Sequence, residues 1–210
     1  MLGGVSKAQM ALLATLIALL AAITTVLVTG RATRQESPSG SGSKLEGPTL
    51  PPGLRAANFV LTDQRGRPVS LAQYRGRIVV LTFIHSLCHD ACPFMVEQIK
   101  GALNALAGGS AYVSALGISV APREDTAINR NRFLAQHRMQ GRLAFLNGPE
   151  RVMRQIWHAY AIQPVQGKLD HSTFVLLIDR RGYERVGFPA SGLTPEALAH
   201  DISALERERA

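Results

Sequence analysis

Cys88 and Cys92 are the only cysteines in a chain of 210 residues, and they stand four positions apart in Phe83-Ile84-His85-Ser86-Leu87-Cys88-His89-Asp90-Ala91-Cys92-Pro93. A C-x-x-x-C spacing lets two sulfurs close a disulfide or turn toward one soft metal ion, and both chemistries use thiolates. Pro93 opens a helix, so a Cys92 at the helix start would meet unpaired backbone N–H groups and the favourable end of the helix dipole, which stabilise a thiolate. A domain of about 150 residues buries an adequate core without disulfide staples. The pair therefore reads as working chemistry rather than as two small core residues or a structural bridge. His85 and His89 flank Cys88 and imitate a zinc cluster, yet structural zinc takes four ligands and the sequence holds no second paired set. His137, His158 and His200 fall on predicted helices, where surface or part-buried roles are the ordinary reading; Trp157 and Tyr160 read as helix-packing residues.

The elements that must position the pair follow from periodicity. Residues 78–84 (IVVLTFI) form a continuous apolar run, the pattern of a central strand buried on both faces. A short polar loop follows, and residues 93–106 carry Phe94, Val96, Ile99, Leu103 and Leu106 at near-helical spacing, stopped by Gly108-Gly109. Upstream, residues 58–62 and 69–71 read as a hairpin around Asp63-Gln64-Arg65-Gly66-Arg67. Downstream come a strand over 112–120, helices over 126–137 and 149–160, and a strand over 173–179. A turn at Arg180-Arg181-Gly182 leads to a partner strand over 183–186. Thr194-Pro195-Glu196 then caps a last helix. The order β-β-β-α-β-α-α-β-β-α predicts a three-layer α/β domain with an N-terminal β-hairpin.

Residues 10–28 contain no charge over nineteen positions, enough for a helix that spans the hydrocarbon core at 1.5 Å per residue. A cleaved signal has a shorter apolar core, and Val28-Thr29-Gly30 is a mediocre cleavage site. The expectation is one transmembrane anchor over residues 1–30, a flexible Pro/Gly/Ser-rich linker over 31–57 and the folded domain over 58–207. Flanking charge does not fix the orientation, but a two-cysteine site favours an oxidising, extracytoplasmic side of the cell membrane. The net charge of +8, from 23 basic and 15 acidic residues, is spread over scattered arginines. Without a basic stripe, interleaved aromatics or recognition-helix spacing it does not indicate nucleic acid; it fits a solvated basic surface facing acidic lipids or an acidic partner.

Three segments together resemble the SCO/SenC family, the copper chaperones of cytochrome c oxidase assembly. The first is Cys88-His89-Asp90-Ala91-Cys92-Pro93 after a core strand. The second is Pro122-Arg123-Glu124-Asp125-Thr126, similar to that family's P-x-x-D-T segment. The third is Asp170-His171-Ser172, followed by a strand that ends in Ile178-Asp179 and by Gly182. The resemblance covers residues 57–205. It implies a thioredoxin-like fold that binds one copper ion through Cys88, Cys92 and His171, with Asp170 or Asp125 as outer partners. It also implies delivery to the copper-binding subunit of cytochrome c oxidase or to another thiol protein of the cell envelope. Two thiolates and one imidazole suit Cu(I), which takes few, soft ligands.

The alternative use of the same pair is thiol–disulfide exchange in the cell envelope, with Cys88 attacking and Cys92 resolving. The C-x-x-x-C spacing departs from the C-x-x-C of ordinary thioredoxins. Peroxidase chemistry in this fold wants threonine or serine three residues before the reactive cysteine, where this chain has His85.

Overall fold

A computed structural model describes residues 44–106, 111–162 and 174–208. The expected anchor within residues 1–30, the Gly108-Gly109 stop and the Asp170-His171-Ser172 motif lie outside the described residues. No helix among the described residues is long and apolar enough to cross a membrane.

Strand β3 (Ile78–Ile84) is buried at every position, and its alternation explains the layers. Ile78, Val80 and Ile84 point into one apolar cluster, Val79, Leu81 and Phe83 into another. Neighbouring side chains of a strand project to opposite faces, so a strand with apolar residues on both faces needs cover on both sides. Four further strands flank it: β4 (Val113–Ser119), β5 (Leu143–Leu146), β6 (Phe174–Ile178) and β7 (Glu184–Pro189), in the order β5-β4-β3-β6-β7. β4 and β5 run parallel to β3, whereas β6 pairs with it antiparallel. On one face lie helices α1 (Ala91–Ala105), α2 (Ala127–Gln136) and α4 (Pro195–Arg207), contributing Met95, Ile99, Phe133, Leu198 and Ile202. The other face carries α3 (Glu150–Ala159), with Met153, Ile156 and Trp157, and the hairpin of β1 (Val60–Thr62) and β2 (Pro68–Ser70). The predicted three-layer arrangement with its N-terminal hairpin is thus observed.

Two expectations need correction. β5 does not appear in the predicted order, which ran one helix directly into the next. It is only four residues long, too short to show a period, and it is held by its register with β4, Ala115 opposite Leu143. Beyond its end, Asn147 and Thr62 exchange backbone hydrogen bonds at 2.9 Å. The second concerns the linker. Its C-terminal part, residues 44–57, lies on the domain instead of hanging free. The N–H groups of Glu46 and Gly47 donate to the buried carboxylate of Asp201 at 2.7 and 2.9 Å. Leu50 N–H donates to Arg185 O, and Gly187 N–H donates to Pro48 O. Gly47 is required at its place, because a Cβ there would come within 2.4 Å of the Phe188 ring.

The cap read from sequence at Thr194 is present, and the structure adds one at Thr126. Thr194 Oγ1 accepts from Ala197 N–H with Pro195 in the first turn, and Thr126 Oγ1 accepts from Asn129 N–H. The turn of the first hairpin is organised by Asp63, which accepts from the backbone N–H groups of Arg65 and Arg67 and from Arg67 Nε. Burial alone would raise the Asp63 pKa; these hydrogen bonds and the Arg67 charge outweigh it and hold the carboxyl below its ordinary range.

Candidate functional site

β3 ends at Ile84 and α1 begins at Ala91, so the loop His85–Asp90 carries the first cysteine and the first helical turn carries the second. Both cysteines are free thiols, Cys88 half-buried and Cys92 fully buried. The backbone folds around the sulfurs. Cys92 N–H points at Cys88 Sγ at 3.5 Å, His85 N–H at Cys92 Sγ at 3.4 Å, and Cys88 N–H closes a turn onto His85 O at 3.2 Å.

The thiolate therefore falls on Cys88, not on Cys92 as the helix position alone suggested. The Cys92 thiol donates to the Cys88 sulfur. Although partial burial opposes ionisation, the N–H groups of Asp90 and Cys92 and the nearby His85 also favour it, and the Cys88 pKa drops to about 5. Cys92 is pushed up in turn, first because it supplies that hydrogen bond and then because it is buried. The unpaired N–H groups of the helix start face the sulfur outside the helix, while the Cys92 side chain turns into the core. A half-buried thiolate beside a buried thiol can attack a disulfide and be resolved by its neighbour, or offer a soft metal one ready ligand and one that must lose its proton.

The loop is fixed from below by Asp125, which is fully buried. Its Oδ1 accepts from Ser86 N–H at 2.7 Å and from Ser86 Oγ at 2.5 Å, and its Oδ2 accepts from Ser119 Oγ at 2.5 Å. Trp157 Nε1 donates to Ser119 O, which ties α3 to the same point. Sequence reasoning pointed to Asp125 through the P-x-x-D-T segment, but nothing in the sequence singled out Ser86 or Ser119. His85 Nε2 lies 3.1 Å from Glu124 Oε2, at an angle that makes no hydrogen bond, and it has no other partner among the described residues. His89 and His158 are exposed. His137 faces Glu97, and His200 faces Asp201 and Glu46. Among the described residues no three His, Cys, Asp or Glu side chains stand together as a metal site.

His171, the expected third ligand, lies outside the described residues. The strand that follows it begins at the cysteine end of the sheet: Val175 is opposite Thr82 in β3, and Thr82 Oγ1 donates to Phe174 O at 3.1 Å.

A mixed α/β sheet covered on both faces, with a dithiol between its central strand and the following helix, defines a thioredoxin-like domain. A model of the SCO1/SenC family matches residues 49–206. The chain belongs to that family. It is 29% identical over 135 residues to the mitochondrial SCO2 homolog of Bos taurus, covering 60% of this chain and 50% of that protein, so it spans only half the length of that relative. A protein of Mycobacterium tuberculosis named a putative peroxiredoxin is 32% identical over 133 residues, covering 60% of this chain and 78% of that protein. Among solved structures, ScoI of Bradyrhizobium japonicum with copper bound superimposes with a TM-score of 0.61 at 27% identity, covering 71% of this chain and 98% of that one.

Proposed function

We propose that this protein is a membrane-anchored copper carrier that supplies the copper site of cytochrome c oxidase, holding one copper ion between Cys88, Cys92 and His171. The observation that carries the reading is the asymmetric pair, a half-buried Cys88 with its pKa near 5 against a buried Cys92. Copper of soft character prefers such thiolates, and a relative of the same fold was solved with copper bound. Phe174, three residues after His171, sits at the cysteine end of β3, and three extended residues reach about 10 Å. The strand that follows His171 thus starts at the end of the sheet that carries the two cysteines, which supports the reading. Residues 1–30 would anchor the protein with its domain on the extracytoplasmic side.

Copper loading of the reduced chain under anaerobic conditions tests this. The expected stoichiometry is one Cu(I) per chain, with the affinity reduced by about tenfold or more in His171→Ala. Unchanged affinity in that variant would remove the three-ligand site. Because Cys88 is already a thiolate at neutral pH, loading at pH 7 should release about one proton, from Cys92.

The same asymmetry supports a second reading, thiol–disulfide exchange on a cell-envelope partner. The Cys88 thiolate attacks a partner disulfide, forming a mixed disulfide and releasing one partner thiolate. Cys92 then gives up its proton and attacks Cys88 Sγ, leaving an oxidised Cys88–Cys92 pair and a fully reduced partner. A chain that does not cycle between dithiol and disulfide lacks this activity.

A further inference from the structure

At the end of the sheet away from the cysteine loop, a cavity of about 430 Å³ opens where β3, β4 and β5 begin. The seven residues of β3 set the two ends about 20 Å apart. Four arginines line this cavity: Arg65 and Arg67 from the hairpin turn, Arg77 from the approach to β3, and Arg142 from the approach to β5. No carboxylate lines it. The nearest, Asp63, is 1% exposed and holds Arg67 through Nε and Nη2.

Arg77 is held differently, by neutral acceptors. Its Nε donates to Ser114 Oγ and its Nη2 to Val113 O, both at 2.8 Å, which fixes the guanidinium plane without neutralising it. Among the described residues, the side chains of Arg65 and Arg142 have no hydrogen-bond or ion-pair partner. Tyr74 lines the same wall. Like charges gathered in a concave site focus a positive potential, and pre-positioned guanidinium forks match the oxygens of a tetrahedral anion. Asp63 already engages the Arg67 fork, which leaves Arg65, Arg77 and Arg142 as three guanidiniums without a carboxylate among the described residues around one space, and these call for a ligand with more oxygens than one carboxylate offers. The volume lies within the range of small-ligand pockets and exceeds what one bare phosphate fills.

We propose that the arginine-lined cavity at the head of β3, β4 and β5 binds a phosphate-bearing anion, either a soluble diphosphate or the headgroup of an anionic phospholipid. This site is independent of the dithiol. The full chain in nonionic-detergent micelles is titrated calorimetrically with inorganic pyrophosphate and, separately, with phosphatidylglycerol doped into the micelles. Saturable binding is expected for at least one of the two probes, weakened about tenfold by Arg142→Gln and again by Arg65→Gln. Both side chains lie outside the packed core. Arg77→Lys, which keeps the charge but loses the fork, should weaken binding with Cys88 alkylation unchanged. An arginine-dependent response to pyrophosphate alone assigns a soluble ligand, and one to phosphatidylglycerol alone assigns the membrane surface. Binding of neither probe, or equal binding by the parent chain and the Arg65→Gln/Arg142→Gln double variant, overturns the proposal.

Discussion

Cys88 and Cys92 share one loop and differ in chemistry because their sulfurs face different surroundings. Iodoacetamide should alkylate Cys88 with a rate that rises around pH 5 and levels off above it, leaving Cys92 unmodified in the native chain. In Cys92→Ala the largest cause of the shift is gone, and the midpoint should move up toward the ordinary thiol range. The linkage has a definite sign. A thiol with a depressed folded-state pKa stabilises the fold fully above its ordinary value of 9.0 and loses that contribution as pH falls through about 5. Asp125 is the second residue on which the loop depends. Asp125→Ala leaves the Ser86 amide and two hydroxyls without their acceptor, at a cost of about 2–4 kcal/mol in a denaturant titration. The cysteine pair was legible from identity and spacing alone. The thiolate assignment was not, because it depends on which way each sulfur turns. Ser86 and Ser119 could not be read either, since they meet only once β3 and β4 lie side by side.

At the scale of elements, long periodic segments and the turn-marked hairpin were read correctly, and the short strand β5 was missed. β3 declares itself by six apolar residues and one threonine in an uninterrupted run of seven. β5, with four, is defined by the neighbour it pairs with. The helix after the cysteines begins at Ala91 rather than Pro93, because the residues that open it also wrap the Cys88 sulfur. The contact between β3 and β4 beneath the loop is close: a Cβ on Gly117 would stand 2.6 Å from Ile84 Cδ1. Gly117→Ala should therefore lower stability by about 1–3 kcal/mol, measured by thermal or denaturant unfolding, through crowding of the last residue before the loop. The arginine cavity escaped sequence reading for a related reason. Its four side chains come from three separate approaches to strands and converge only in the folded sheet.

Over the whole molecule, one acidic group carries a pH dependence separate from that of the thiols. Burial at the start of β7 raises the Glu184 pKa from 4.5 to about 7. The unfolded chain ionises it near the lower value, so the fold is favoured below that value and gives up this contribution as pH rises through 7. Glu184→Gln should thus be more stable than the parent at pH 8 and nearly equal at pH 4, read from unfolding midpoints at the two pH values. The three-layer plan and the hairpin were visible in the order of elements. The boundary of the domain was not, because a run rich in proline and glycine looks like tether whether or not its amides find acceptors.

Residues 48–50 lie along the outer side of β7, the last strand of the sheet, and occupy hydrogen-bonding groups that it would otherwise turn to water. A bare margin of this kind invites a second copy to add its own strand. With that margin filled by the chain's own leader, the domain is protected from edge-to-edge self-association. A version trimmed past Leu50 would carry an open seam, prone to clumping, even with every residue of the dithiol loop intact.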